Sequence, residues 1–148
     1  MSTIKDFYQA AYDEAEKGYQ EGGIPIGSVL VHEGEIIGRG RNRRVQNGSA
    51  ILHGEMDALE NAGRLPASVY SQCTLYTTLS PCPMCSGTIL LFEIPRVIIG
   101  ENKSFLGDEE RLKEAGVEVA ILDDTPSYDL MQKFIEEKPT LWNEDIGV

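Results

Sequence analysis

Two short segments of the chain contain residues that can together bind a metal ion and do chemistry with it. They are His53-Gly54-Glu55 and Pro81-Cys82-Pro83-Met84-Cys85. One imidazole and two thiolates are ligands that zinc accepts, and three protein ligands leave the fourth tetrahedral position open, as in catalytic sites. Zinc in such a site lowers the pKa of a bound water towards about 7. The carboxylate of Glu55 is the obvious group to take the proton of that water.

The spacing within each segment indicates how the ligands can be brought together. Ser80-Pro81 has the form of a helix start, because serine caps free amides and proline is tolerated in the first turn. Cys82 and Cys85 then lie near the first turn on one face, where the helix dipole favours thiolates. His53 and Glu55 are about 200° apart around a helix, so they can converge only across its N-terminal end. The sequence therefore predicts two helix N-termini that meet at the metal.

Each part of this pattern also has a simpler interpretation. An isolated C-x-x-C is often a redox pair, and an isolated histidine near a helix start is often structural. The chain has only two histidines and three cysteines, so the occurrence of both segments in this order favours a catalytic zinc site, with one ion per chain. The other histidine, His32, lies in a turn-like segment and is predicted at the surface. Cys73 begins an apolar run and is predicted to be a buried free thiol.

Length and composition predict a single domain over residues 1–148. The chain has 148 residues, 41% of them hydrophobic, which is enough for one sizeable core. The cysteine count is odd, and the sequence contains no signal-peptide pattern and no apolar stretch near the ~18 residues of a membrane span. These features predict a cytoplasmic protein with no membrane partner.

The charge balance argues against a nucleic-acid partner. Thirteen basic residues stand against 24 acidic residues, a net charge of −11, and such a surface repels phosphate backbones. One basic cluster consists of Arg39, Arg41, Arg43 and Arg44. Three interpretations of this cluster are open: a local phosphate-binding site, alternating surface positions along an edge strand, or a contact with an acidic partner subunit.

The hydrophobic pattern predicts alternating helices and strands after an initial helix and hairpin. A helix capped by Thr3 is predicted to end near Gly22-Gly23. Further helices are predicted over 53–62, 82–92, 108–115 and 126–137, and strands over 26–31, 35–44, 73–79, 96–100 and 117–122. This order predicts an α/β fold, a three-layer α-β-α sandwich around a mixed five-stranded sheet.

Longer segments resemble the fungal-type cytosine deaminase branch of the cytidine deaminase-like zinc deaminase superfamily. H-x-E followed by P-C-x-x-C is the motif of zinc nucleobase deaminases. The resemblance covers nearly all of the chain and includes the segments 21–27, 52–55, 75–82, 94–96 and 100–102, together with Trp142 and the segment 144–147. The C-terminal Trp and Asp occur in enzymes that close over a free base, and family members that act on tRNA typically carry Ala where this chain has Gly54.

The resemblance implies a role for each matching residue. His53, Cys82 and Cys85 would bind zinc, and Glu55 would move protons from the water to the ring nitrogen and the departing ammonia. Substrate contacts would come from the Asn42 side chain, the Gly54 amide, the Ser80 carbonyl and the Asp145 carboxylate, with Phe105 and Trp142 enclosing the ring. The remaining residues that it places against the substrate are Ile26, Thr77, Leu79 and Val45.

Some of these residues also have simpler interpretations, and two positions depart from the family pattern. Without the family, Trp142 and Phe105 are core candidates, Asn42 a turn former and Asp145 part of an acidic tail. The family carries Phe where this chain has Val45, and another Phe where it has Asn143. Both changes are expected to remove aromatic surface near the pocket, so Val45 is expected to influence which ring is accepted.

The expected function is hydrolytic deamination of a free nucleobase or small cyclic amidine, with cytosine as the leading substrate. Isocytosine, creatinine and guanine are competing rings. A nucleotide or tRNA deaminase is the nearest enzymatic alternative, and a catalytically silent zinc-binding module is the non-enzymatic one. Apolar stretches over 90–94 and 97–99, with the habit of the family, predict a homodimer.

Overall fold

The computed structural model describes residues 2–148, and a mixed five-stranded sheet forms their centre. The strands are β1 (Gly27–His32), β2 (Glu35–Arg41), β3 (Cys73–Leu79), β4 (Arg96–Glu101) and β5 (Glu118–Ile121). Their order across the sheet is β2-β1-β3-β4-β5. Strand β1 is antiparallel to both of its neighbours, whereas β3, β4 and β5 run parallel. The predicted α/β class and mixed five-stranded sheet are confirmed.

Eight helices surround or border this sheet in the described residues. They are α1 (Ile4–Gln20), α2 (Arg44–Asn47), α3 (Gly54–Ala62), α4 (Ala67–Tyr70), α5 (Pro83–Leu91), α6 (Glu109–Glu114), α7 (Thr125–Glu137) and α8 (Pro139–Asp145). The cap of α1 is as predicted: the Thr3 hydroxyl accepts from the Asp6 amide, and the Asp6 carboxylate accepts from the Thr3 amide. Within residues 2–148, no helix combines the length and hydropathy that a membrane span requires.

Both faces of the sheet are covered, because successive strand residues point to opposite sides. On one face, Leu30, Leu75 and Ile99 form a buried cluster with residues of α3, α5 and α6. On the other face, Val29 and Tyr76 pack against α1. A third buried cluster lies at one edge of the sheet, where α7 and α8 supply Met131, Phe134 and Trp142 to residues that precede β1 and end β3.

The strands meet at one edge that is suited to hold a site. The carboxyl ends of the parallel strands β3 and β4 lie there, and the antiparallel β1 begins at the same edge, with Ser28 paired to Thr77. Ligands of open α/β sheets bind outside these carboxyl ends. Helix α3 reaches this edge because it packs directly on β2, where a Cβ on Gly40 would lie 2.2 Å from the Ala58 nitrogen.

The sequence-based prediction missed three helices and overextended one strand. The chain leaves β2 at Arg41, three residues before the predicted end, because the Asn42 amide donates to the Ile26 carbonyl and the Arg43 amide to the Leu52 carbonyl. The short helix α2 follows. Neither α2 nor α4 spans more than one turn, and α8 begins directly after Lys138 ends α7. Such short helices are fixed by tertiary contacts and not by hydrophobic periodicity.

Candidate active site

Two helix N-termini meet at the predicted metal site. His53 is the N-cap of α3, Cys82 is the N-cap of α5, and Cys85 is the third residue of α5. One ligand atom from each lies within 4.8 Å of the others. The Nδ1 atom of His53 is 3.4 Å from the Cys82 sulfur and 3.7 Å from the Cys85 sulfur. The predicted convergence of the three ligands across helix starts is confirmed.

The start of the second helix differs from the prediction in one respect. Helix α5 begins at Pro83, so Pro83 and not Pro81 occupies the first helical position, and the cap has no side-chain hydrogen bond. The hydroxyl of Ser80 is used elsewhere, because it donates to the Glu109 carboxylate. The position of Cys82 at the cap still leaves its sulfur beside the free amides of the first turn.

The pKa values of the two thiols are shifted in opposite directions. A hydrogen bond from the Cys85 thiol lowers the pKa of Cys82 to about 4, against the effect of burial, and His53 lowers it further. The same hydrogen bond raises the pKa of Cys85. Zinc binds cysteines as thiolates, so both thiols lose their protons when the metal is held. Two thiolates offset the charge of one Zn²⁺, so this donor set fits zinc.

A carboxylate holds the histidine from its other side. The Oδ1 atom of Asp145 lies 3.3 Å from His53 Nε2 and accepts from Asn42 Nδ2 at 2.8 Å. Burial acts to lower the pKa of His53, but the hydrogen bonds to Asp145 and Cys82 outweigh it and raise the pKa to about 10. In the neutral ring, a proton on Nε2 is directed at Asp145, and Nδ1, which faces the two sulfurs, can bind the metal, the arrangement seen in carboxylate–histidine–metal sites.

The glutamate of the first segment is buried beside the ligands. Glu55 is 5% exposed at the second position of α3. Burial raises its pKa to about 7, while the neighbouring His53 acts in the opposite direction. A carboxyl group whose pKa lies near neutrality can both take and return a proton at physiological pH.

A small cavity opens onto these groups. It is lined by Ile26, His53, Glu55, Leu79, Ser80, Cys82, Phe105, Asp145 and Ile146. Its walls combine apolar side chains with two carboxylates and two of the metal ligands, His53 and Cys82, an arrangement that can orient a polar heterocycle.

Comparison with known proteins identifies the family to which this arrangement of residues belongs. Residues 1–101 match the family described as the cytidine and deoxycytidylate deaminase zinc-binding region. The chain belongs to this family. Zinc is accordingly the metal that His53, Cys82 and Cys85 hold.

The relatives of this deaminase include both a cytosine deaminase and tRNA-specific adenosine deaminases. A cytosine deaminase of Candida albicans is 60% identical over 140 residues, which cover 94% of this chain and 93% of that protein. A tRNA-specific adenosine deaminase of Streptococcus pyogenes is 45% identical over 107 residues, 72% of this chain and 67% of that protein. A structure solved in work on A-to-I editing by tRNA:A34 deaminases has a TM-score of 0.73 and 27% identity, over 85% of this chain and 99% of that chain. This deaminase is therefore a hydrolase of C–N bonds.

Several predicted substrate contacts of the deaminase lie next to the cavity without lining it. Asn42 is fully buried and reaches the cavity wall through Asp145. Gly54 is the first residue of α3, where the amide has no partner within the helix. Trp142 packs edge-on against Phe105, with the ring centres 6.5 Å apart. Thr77 is buried in β3, and its hydroxyl accepts from Ser28.

Val45 does not reach the cavity of the deaminase. It lies in α2, 39% of its surface is exposed, and it is absent from the cavity wall. Asn143 is exposed on α8. The expected influence of Val45 on the choice of ring therefore has no support in the structure, because the chain turns outwards directly after Asn42 and Arg43.

Two contributors to the site escaped the sequence analysis. Ile146 lines the cavity directly after α8. Arg44 connects the segment after β2 to α8, because its guanidinium donates to the Ala50 carbonyl and lies 3.8 Å from Asp145 Oδ1. The position of Ile146 within the conspicuous segment 144–147 was a usable signal, whereas Arg44 had none beyond its membership of the basic cluster.

The basic cluster is mostly paired with acidic residues of the same chain. Arg41 contacts Glu14 and Glu21, each within 2.9 Å, and Arg43 Nε is 2.9 Å from Asp57 Oδ2. Only Arg39 is exposed. The charges of the cluster thus serve to attach β2 and the segment after it to α1 and α3.

Proposed function

We propose that the protein hydrolyses the exocyclic C–N bond of cytosine and releases uracil and ammonia. The observation that carries the proposal is a small cavity whose wall contains the zinc ligands His53 and Cys82 together with Glu55 and Asp145. The Candida albicans protein described as a cytosine deaminase supports this ring, because its identity of 60% extends over 94% of the chain.

Glu55 is proposed to carry the protons of the reaction. Zinc, when bound, supplies a water whose pKa is lowered towards about 7. Glu55 accepts a proton from this water and passes it to the ring nitrogen, which makes the neighbouring carbon electrophilic. The remaining hydroxide would add to this carbon, and the same carboxylate would then move the second proton of the former water to the amine, so that the C–N bond breaks and ammonia leaves. Burial supports this role, because the resulting pKa of about 7 makes both transfers accessible.

Asp145 and Asn42 are proposed to form hydrogen bonds with the polar edges of the ring. The hydrogen bond from Asn42 and the ion pairs with Arg44 and His53 are all made by Oδ1 of Asp145. Its Oδ2 is therefore proposed to accept from the exocyclic amine, together with the Ser80 carbonyl. The Gly54 amide and Asn42 are proposed to bind the opposite, amide-like edge. A buried polar group left unmatched costs about 1–3 kcal/mol, so this array discriminates between rings.

A screen of substrates tests the proposal. Cytosine, isocytosine, creatinine, guanine, cytidine, dCMP and a tRNA with a target adenosine are supplied to the zinc-loaded protein, and ammonia release is measured. We expect the highest kcat/KM for cytosine. A preference for cytidine, dCMP or tRNA contradicts the proposal. A preference for another free ring contradicts cytosine as the substrate but still supports the deamination of a free ring.

A homodimer is proposed as the active unit. Helix α5 contains no charged residue, and its last residue, Leu91, is 73% exposed. Grooves run on both sides of this helix. One is lined by Leu59, Tyr70 and Phe92 together with the charged Glu60 and Arg64, and the other by Ile89, Leu90, Ile94, Pro95 and Val117 together with Glu93. An isologous contact between two copies is the commonest way to bury such a face.

Light scattering tests the dimer. We expect a mass of twice 16.3 kDa at micromolar concentration. Leu91→Glu is expected to shift the mass towards that of one chain, because it places a charge in the contact. Ile4→Glu is the control, since Ile4 is 41% exposed on α1, away from this face. A wild-type mass of 16.3 kDa contradicts the dimer.

A cytoplasmic location is proposed from the state of the cysteines. Cys73 is buried and its thiol donates to the Val69 carbonyl, while Cys82 and Cys85 are metal ligands. None of the three forms a disulfide, and a reducing compartment preserves this state. Fractionation of cells that express the protein at its natural level tests the location.

A further inference from the structure

Glu109 is a buried carboxylate that the proposed reaction does not use. It is the first residue of α6 and only 5% exposed. Buried carboxylates are rare unless they are paired, yet no cation of the described chain forms an ion pair with this one. Its partners are two neutral donors: Ser80 Oγ donates to Oε2 at 2.6 Å and Asn102 Nδ2 to Oε1 at 3.2 Å.

Ser80 connects this carboxylate to the cavity. Its hydroxyl donates to Glu109 and at the same time accepts from the Gly107 amide at 2.9 Å. A hydroxyl has one proton, so the carboxylate fixes its direction and leaves its lone pairs for the amide. Ser80 is 3% exposed and lines the cavity.

The segment 102–108, which carries Phe105, is attached at both ends. At its start, Glu101 Oε2 accepts from the amides of Lys103 and Ser104 at 2.8 and 2.9 Å. At its end, the Asp108 amide donates to the Pro81 carbonyl at 3.2 Å. The approach is so close that a Cβ on Gly107 would lie 1.8 Å from that carbonyl oxygen.

We infer that Glu109 is a positioning residue, which acts through the Ser80 hydroxyl to hold two walls of the substrate cavity in register: the Ser80 backbone and the segment that carries Phe105. The inference rests on the proposed function, because it assigns these walls to ring binding. Without the carboxylate, the Ser80 hydroxyl loses its acceptor and is free to rotate away from Gly107. The wall formed by Phe105 then loosens relative to the end of β3.

The effect is expected on binding more than on turnover. Glu55 and the three zinc ligands lie in α3 and α5 or at their N-caps, whereas the side-chain hydrogen bonds of Glu109 are to Ser80 and Asn102. Proton transfer and the metal are therefore preserved, whereas the ring is held less firmly. A purely structural role would instead lower stability or zinc content and leave KM unchanged for the protein that remains folded.

Glu109→Ala, Glu109→Gln and the control Glu110→Ala test the inference. Glu110 is the adjacent residue, with its side chain 85% exposed. For Glu109→Ala, KM for cytosine is expected to rise about tenfold while kcat stays within about twofold, as for the loss of a hydrogen bond to a charged group. Glu109→Gln is expected to restore KM to within about threefold, because its amide can serve Ser80 if the Asn102 amide turns round. Glu110→Ala is expected to match the wild type.

A second variant tests the inference if Glu109→Ala folds poorly. Ser80→Ala removes the hydroxyl and keeps the carbonyl, so it breaks the same connection from the other side, and its KM is expected to rise similarly. In the double variant the increases are not multiplied, because both changes remove one connection. An active wild type with unchanged KM in Ser80→Ala and in folded Glu109→Ala overturns the inference. A wild type that deaminates no cytosine overturns the proposed function instead.

Discussion

Glu55→Gln is expected to keep its zinc and to lose at least ~100-fold in kcat, the smallest effect that positioned proton transfer normally has. Glutamine has the shape of glutamate but cannot take a proton from water. The metal is retained because His53, Cys82 and Cys85 hold it without Glu55. Metal analysis and steady-state kinetics on the same preparation measure both quantities.

Glu60→Gln is the matched control for this variant. Glu60 lies on the same helix, α3, but its side chain is exposed. It is expected to change neither zinc content nor kcat. If Glu55→Gln retained more than about a tenth of the wild-type kcat, Glu55 would not be the group that moves the protons.

Local motifs explain why the metal site was predictable from sequence. His53 and Glu55 are separated by one residue, and Cys82 and Cys85 by two, so one helix start positions each pair. Such short-range geometry depends on backbone rules alone. The alternating strands and helices were predictable for a similar reason, because each periodic segment packs against one face of the sheet.

The contacts that complete the cavity were not predictable in this way. Glu109 and Ser80 are 29 residues apart, and Asn42 and Asp145 are 103 apart. No periodicity links such pairs, so only the tertiary fold reveals that they meet. Val45 illustrates the converse: the family pattern placed it at the substrate, but it follows the turn after β2 and faces outwards.

Asp145→Ala is expected to lower kcat/KM for the preferred ring by about 2 kcal/mol, or ~30-fold, because a charge-assisted hydrogen bond to the exocyclic amine is lost. It is also expected to weaken zinc retention. The Asp145 carboxylate lies 3.3 Å from His53 Nε2, and loss of a carboxylate that orients a metal-bound histidine typically costs ~10–100-fold in affinity or activity.

Asp145→Asn separates these two roles. Its side-chain oxygen can still accept from His53 and Asn42, as Oδ1 of Asp145 does, so zinc retention against a chelator is expected to stay near that of the wild type. The new NH2 group replaces Oδ2 and faces the exocyclic amine of the substrate, which is also a hydrogen-bond donor. The kcat/KM is therefore expected to fall as far as in Asp145→Ala.

Glu144→Ala is the control, because the Glu144 side chain is 61% exposed and forms only a 3.7 Å contact with Arg44, a kind of pair worth about 0–1 kcal/mol. Unchanged kcat/KM in Asp145→Asn would exclude a contact between Asp145 and the amine, whereas equal zinc loss in both Asp145 variants would make histidine orientation its main role.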